Sequence, residues 1–185
     1  KHGASVFEVW RRRRFMKGPR GAPCSTELKR KLLATISLPG DIDVLGMTAE
    51  EAGRLDDLRE RSPGRTIVSP LVERGLTKDD CLEMVRRAGI ELPLMYRQGF
   101  ENANCPHCPK GGEGYWNRVR VIRPEAFHRT MEMQESIGNG AYFFRNRDTG
   151  ERFGLKDLDP SAGRHDEPAP SCSFFCEMAE QEYSA

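Results

Sequence analysis

Apolar residues recur at helical spacing in several stretches of this chain and bunch into short runs in two others. Val6, Phe7, Val9 and Trp10 mark a helix from Ser5 to Lys17, running into Arg11-Arg12-Arg13-Arg14. Gly18-Pro19-Arg20-Gly21-Ala22-Pro23 interrupts it. Leu28, Leu32, Leu33 and Ile36 then form the expected buried stripe of a helix from Thr26 to Ser37, with Ser25 as its N-cap. After Pro39-Gly40, Ile42 to Leu45 is a short apolar run of the kind found in buried parallel strands, and Arg65 to Ser69 is another. Between them, Thr48-Ala49-Glu50-Glu51 has capping-box spacing and opens a helix through Leu55 and Leu58 to Arg61. Thr77-Lys78-Asp79-Asp80 caps a further helix, which Gly89 closes. Cys81 lies on its apolar stripe and reads as a small core residue. Strands alternating with helices predict an α/β domain with a mainly parallel sheet.

From Glu91 onward the chain becomes rich in Gly, Pro, Asn and aromatic residues. A helix is expected from Pro124 to Ile137, followed by a polar tail up to Cys172. The shift predicts two regions, 1–95 for the α/β domain and 96–185 for a cysteine-rich C-terminal part. The 185 residues are 37% hydrophobic and 31% charged with net charge +1, which suits a soluble globular class and excludes a general polyanion binder. No apolar run approaches the roughly 18 residues that span a bilayer, so no membrane partner is expected. The arginine run reads in two ways, as a helix end favoured by the dipole or as an anion or nucleic-acid contact.

Chemistry concentrates at Cys105-Pro106-His107-Cys108, followed by Pro109-Lys110-Gly111-Gly112-Glu113-Gly114-Tyr115-Trp116. Two thiols separated by two residues reach one metal ion from a tight turn. There are six cysteines and no visible signal-peptide pattern, which points to metal or redox chemistry in a reducing, cytoplasmic compartment. Cys24 at a helix start supplies a third thiolate, favoured by the dipole, and Cys176 or Cys172 a fourth. Four thiolates suit tetrahedral zinc or a [4Fe–4S] cluster, while His107 offers a Cys3His alternative. Tyr115 and Trp116 either stack on a base or pack over the turn.

The order Cys24-Ser25-Thr26-Glu27-Leu28-Lys29-Arg30, Gly46-Met47-Thr48-Ala49-Glu50-Glu51 and Gly89-Ile90-Glu91-Leu92-Pro93-Leu94-Met95-Tyr96 resembles a known family. With Asn104 to Gly112 and Gly114-Tyr115-Trp116-Asn117, the chain looks like the phosphoadenosine phosphosulfate (PAPS) reductase family, most closely its phage and bacterial branch. The resemblance implies a Rossmann-like fold of the adenine-nucleotide alpha-hydrolase type, with helices on both sides of the sheet. It also implies a [4Fe–4S] cluster on Cys24, Cys105, Cys108 and Cys176, zinc being the alternative. Eighty residues lie between Cys24 and Cys105, a spacing similar to that of iron–sulfur sulfonucleotide reductases. Cys172 corresponds to the tail cysteine that attacks sulfur in such enzymes, and Lys29, Arg30, Glu51, Arg54 and Lys110 become substrate contacts. The implied substrate is an adenine nucleotide.

Two features depart from the family pattern. Its Ser-Gly-Gly-x-Asp-Ser phosphate loop occurs nowhere here, and Thr48 stands where relatives usually carry arginine. Lys1-His2-Gly3 reads as mid-protein sequence, so the expectation is a sheet lacking its first βα unit, its edge covered by a second copy or a partner chain. Three functions follow. The first is a PAPS-reductase-like enzyme of sulfur metabolism. The second is a sulfur-transfer enzyme modifying DNA or RNA, contacting phosphate through Arg11 to Arg14 and Arg118, Arg120 and Arg123. The third is a non-catalytic metal-stapled module of a larger assembly.

Overall fold

The computed structural model of the chain describes residues 3, 5–18, 21–164, 167 and 170. Within them the protein is a mixed α/β chain that divides into two compact units, residues 1–34 with 94–185, and residues 35–93. This division differs from the expected one in grouping the first 34 residues with the cysteine-rich region.

Helix α1 spans Val6–Arg13, shorter than expected, with Ser5 accepting from Glu8 N–H as its N-cap. Arg14, in the left-handed region at φ 51°, ends it. Its basic last turn is held internally. Arg11 and Arg12 pair with Glu8, Arg13 pairs with Glu27, and Arg14 donates to the carbonyls of Ser136 and Ile137 at 3.3 and 3.2 Å. Helix α2, Pro23–Ser25, continues through a π-helical turn, Thr26–Arg30, into α3, Lys31–Ile36. The helix therefore starts before Ser25. Ala22 is the N-cap and Pro23 fills the first position, where its missing N–H costs nothing. The predicted stripe is not buried either. Leu32, Leu33 and Ile36 are exposed, Ile36 by 65%.

In the unit of residues 35–93, strand β1 (Ile42–Val44) pairs in parallel with β2 (Thr66–Val68), Asp43 opposite Ile67. Arg65 reaches across to Asp43 at 2.7 Å, and buried Ser69 donates to the Met47 carbonyl at 2.8 Å. Helix α4 (Ala52–Arg61) follows a 3₁₀ turn whose Thr48–Glu51 capping box forms as the spacing predicts, and it buries Leu55 and Leu58. The short α5 (Pro70–Glu73) and α6 (Lys78–Arg87) follow, the latter capped reciprocally by Thr77 and Asp80. No residue of α6 is buried, so Cys81 is half-buried rather than core. Ile42 and Val44 of β1 are exposed as well.

The other unit resumes with α7 (Leu94–Arg97), α8 (Glu113–Ile122) and α9 (Pro124–Ile137), the last spanning its predicted residues. An antiparallel hairpin, β3 (Phe144–Arg145) with β4 (Arg152–Phe153), occupies part of the expected polar tail. The core is aromatic. Trp116 of α8 is fully buried, stacked on Phe143 with centroids 5.5 Å apart and edge-on to Phe127. Buried Gln134 of α9 donates to the Ala141 carbonyl at 3.0 Å and accepts from Leu155 N–H at 2.8 Å, holding the segments on either side of the hairpin. Among the described residues no helix is long and apolar enough to cross a membrane.

Candidate metal centre

Two consecutive tight turns carry the thiols. Cys108 N–H donates to the Cys105 carbonyl at 3.0 Å, and Gly111 N–H donates to the Cys108 carbonyl at 3.2 Å. Cys105 is half-buried and Cys108 is only 3% exposed. The Tyr115 hydroxyl donates to the Cys105 carbonyl at 3.3 Å, so α8 clamps the turn from one side. Gly111 permits this approach, because a Cβ there would lie 2.1 Å from the Tyr115 ring. Tyr115 and Trp116 are both buried, and they pack in this core rather than presenting faces to a base.

His107 is tied to α9. Its Nδ1 lies 2.8 Å from Thr130 Oγ1, and the Thr130 hydroxyl already donates to the Ala126 carbonyl at 2.7 Å. The imidazole is therefore the donor in this pair, which places its proton on Nδ1. Phe7 packs edge-on against the ring at 4.7 Å, and burial holds its pKa below the usual histidine value.

Cys24 is the second residue of α2, half-buried and packed on the same aromatic core. Lys17, between α1 and α2, is partly buried. Burial pushes its ammonium pKa down, and the Cys108 charge opposes that shift.

The segment after the hairpin runs along α8. Arg120 donates to the Leu158 carbonyl at 2.7 Å, and Asn117 Nδ2 donates to the carbonyls of Asp159 and Ala162, both at 2.8 Å. The Glu167 carboxylate then accepts from Gly114 N–H at 3.0 Å and Tyr115 N–H at 3.3 Å, supplying the negative charge that a helix N-terminus favours. Glycines make room for this crossing. A Cβ on Gly112 would meet Glu167 Oε2 at 2.4 Å, and one on Gly163 would meet Gly114 N at 2.0 Å. Asn104 donates its side-chain amide to the Pro170 carbonyl.

Cys24, Cys105 and Cys108 thus belong to one unit, whereas Cys81 belongs to the other. Cys172 and Cys176 lie outside the described residues. Among the described residues, Cys24, Cys105 and Cys108 included, no group of three or more His, Cys, Asp and Glu side chains is placed to hold a metal ion. The expected substrate contacts divide between the units. Glu51 and Arg54 pair with each other in one, while Lys29, Arg30 and Lys110 belong to the other, Arg30 donating to Thr26 Oγ1.

The basic residues proposed for nucleic acid all have internal partners. Beyond Arg11 to Arg14, Arg118 donates to the Gly99 carbonyl at 2.5 Å and lies over the Phe100 ring. Arg120 covers Phe127, and Arg123 reaches Gln98 Oε1 at 3.3 Å. Lys17 was not identifiable from sequence, because a single lysine in an interhelical loop carries no periodic or motif signal. No protein-family model, curated protein or solved structure matches this chain.

Proposed function

We propose that the unit of residues 1–34 and 94–185 carries a cysteine-ligated metal centre, an iron–sulfur cluster, within a PAPS-reductase-like enzyme acting on an adenylylated substrate. One observation carries the reading. Cys24 packs on the aromatic core, Tyr115 of that core donates to the Cys105 carbonyl, and the chain leading to Cys172 and Cys176 is pinned to Asn104, the residue before Cys105. It is the chemistry of the donor set, four thiols, that suits the group. Cys24, Cys105 and Cys108 with one tail cysteine would hold it, and thiolates are the ligands that iron–sulfur clusters and zinc both take. When bound, such a cluster would supply or accept electrons next to a substrate.

The chain's own residues contribute a dry and cationic surrounding. Tyr115 and Trp116 are buried on one side of the turn, and the partly buried Lys17 adds a positive charge to the same unit. The parallel pairing of β1 and β2, with Ile42 and Val44 exposed, supports a larger Rossmann-like sheet, because parallel strands are normally covered on both faces.

The experiment is anaerobic purification with iron, sulfide and zinc analysis, beside Cys24→Ser, Cys105→Ser and Cys108→Ser variants. The expected result is bound iron and sulfide that each substitution removes. One zinc per chain in place of four irons would replace the redox role by a structural one. Absence of metal from anaerobic protein would overturn the proposal.

A further inference from the structure

A small cavity of about 250 Å³ opens between the α1–α2 loop and the hairpin, floored by Tyr142, Phe143 and Phe144 and rimmed by Lys17, Arg145 and Arg152. Three cations line one aromatic hollow, and no acidic side chain is among its described lining residues. Arg145 and Arg152 face each other as cross-strand partners in β3 and β4. Like charges directly opposite on an antiparallel pair repel and destabilise it. Among the described residues each arginine donates to a carbonyl, Arg145 to Gly150 at 2.8 Å and Arg152 to Tyr142 at 3.4 Å. Among the described residues no ion pair joins either of them to a carboxylate. The charged groups acting on Lys17 are Cys108 and two further cations, Arg152 and Lys110. The carboxylate that meets the Tyr142 hydroxyl, Glu135, is held by Lys156 at 3.6 Å.

We propose that Lys17, Arg145 and Arg152 form a binding site for a phosphoryl or sulfonyl oxyanion. A tetrahedral oxyanion offers several acceptors on one centre, so ammonium and guanidinium groups donate to it together and their mutual repulsion is relieved. The volume lies just under the usual range for sites that enclose a whole small-molecule ligand, which begins at about 300 Å³. The cavity therefore takes the anionic group of a substrate and leaves the remainder outside. This deepens the proposed function and rests on it for the identity of the substrate, while anion binding itself is independent of any metal.

The test is calorimetric titration of the purified chain with inorganic phosphate, sulfate, adenosine 5′-monophosphate and adenosine at low ionic strength. Phosphate and sulfate are expected to bind and adenosine is not. Tighter binding of the monophosphate than of phosphate would assign the site to a nucleotide's anionic group, and equal binding to a free oxyanion. Lys17→Gln and Arg152→Gln should each weaken binding about tenfold, which one lost ionic contact of about 1.4 kcal/mol predicts, and Arg147→Gln on the hairpin turn should not. Should Lys17→Gln fail to fold, Arg145→Gln and Arg152→Gln on the exposed hairpin provide the same comparison. No binding of either inorganic anion, or binding unchanged in the hairpin variants, would overturn the proposal. Failure of the metal analysis together with intact anion binding would separate this site from the proposed cluster.

Discussion

Asn104 donates its side-chain amide to the carbonyl of Pro170, linking the residue before Cys105 to the residue two positions before Cys172. Two residues of polypeptide span at most about 7 Å, so this contact limits how far the Cys172 backbone can lie from the thiol turn. Cys176 follows Pro170 by six residues, a tether of about 20 Å. Oxidation of metal-free protein with diamide, which takes up the two electrons and two protons released, should therefore join Cys172 to Cys105 or Cys108 in preference to Cys176. Peptide mapping reads the product. Asn104→Ala should lower the yield several-fold with the far-UV spectrum unchanged. Preferential capture of Cys176 would show that the pin does not select the tail thiol.

Glycine substitutions should separate close approach from mere flexibility. Gly163 has φ +94°, and a Cβ on it would stand 2.0 Å from Gly114 N, a backbone atom with no means of moving aside. Gly163→Ala should therefore destabilise the unit by about 2–3 kcal/mol or prevent its folding. Gly53 sits within α4, where an added Cβ would meet nothing within 4 Å, and its φ is not positive. Gly53→Ala should stabilise by about 0.5–1 kcal/mol, read from chemical denaturation. Equal effects at the two positions would refute the crossing of residues 163–167 over α8.

The elements that local chemistry decides were legible in the sequence. Thr48 with Glu51 and Thr77 with Asp80 each place both halves of a cap within four residues, and both helices start there. Ile42 to Val44 and Thr66 to Val68 are strands, as their apolar runs predict. Helix α8 was not legible, because Gly111 to Gly114 reads as a turn and the carboxylate at its start, Glu167, comes 53 residues later. The exposed stripe of α3 misled for a related reason. Periodicity shows which residues share a face but not whether another element covers it. At the candidate site, cysteine spacing showed where thiols concentrate, whereas the convergence of Lys17, Arg145 and Arg152 depends on tertiary contacts alone.

Exposure of that stripe has a measurable consequence. Ile36 makes little buried contact, so Ile36→Ala should change stability by no more than about 0.5 kcal/mol. Leu155, 1% exposed in the aromatic core, should cost about 2–5 kcal/mol on replacement by alanine. Denaturant unfolding of the two variants compares them directly. A large loss from Ile36→Ala would mean that the α3 face is covered in solution.

The last prediction concerns acid. Glu27 in the π-helical turn accepts from Arg13 and from Lys31, the latter at 2.9 Å, and its side chain is only 7% exposed. Arg13 first and then Lys31 hold its carboxyl down to about 2, against an ordinary value of 4.5. A carboxylate whose folded pKa is depressed contributes stability above its unfolded pKa and loses that contribution as pH falls through the folded one. The Glu27 contribution should thus be complete above pH 4.5 and vanish progressively toward pH 2. Its size should be about 1 kcal/mol, the upper end for pairs whose cations remain in water, and added salt should reduce it. Glu27→Gln should therefore be less stable than the parent chain at pH 6 and indistinguishable from it near pH 2. Thermal unfolding across that range provides the comparison. A stability difference independent of pH would show that Glu27 acts through packing and not through its charge.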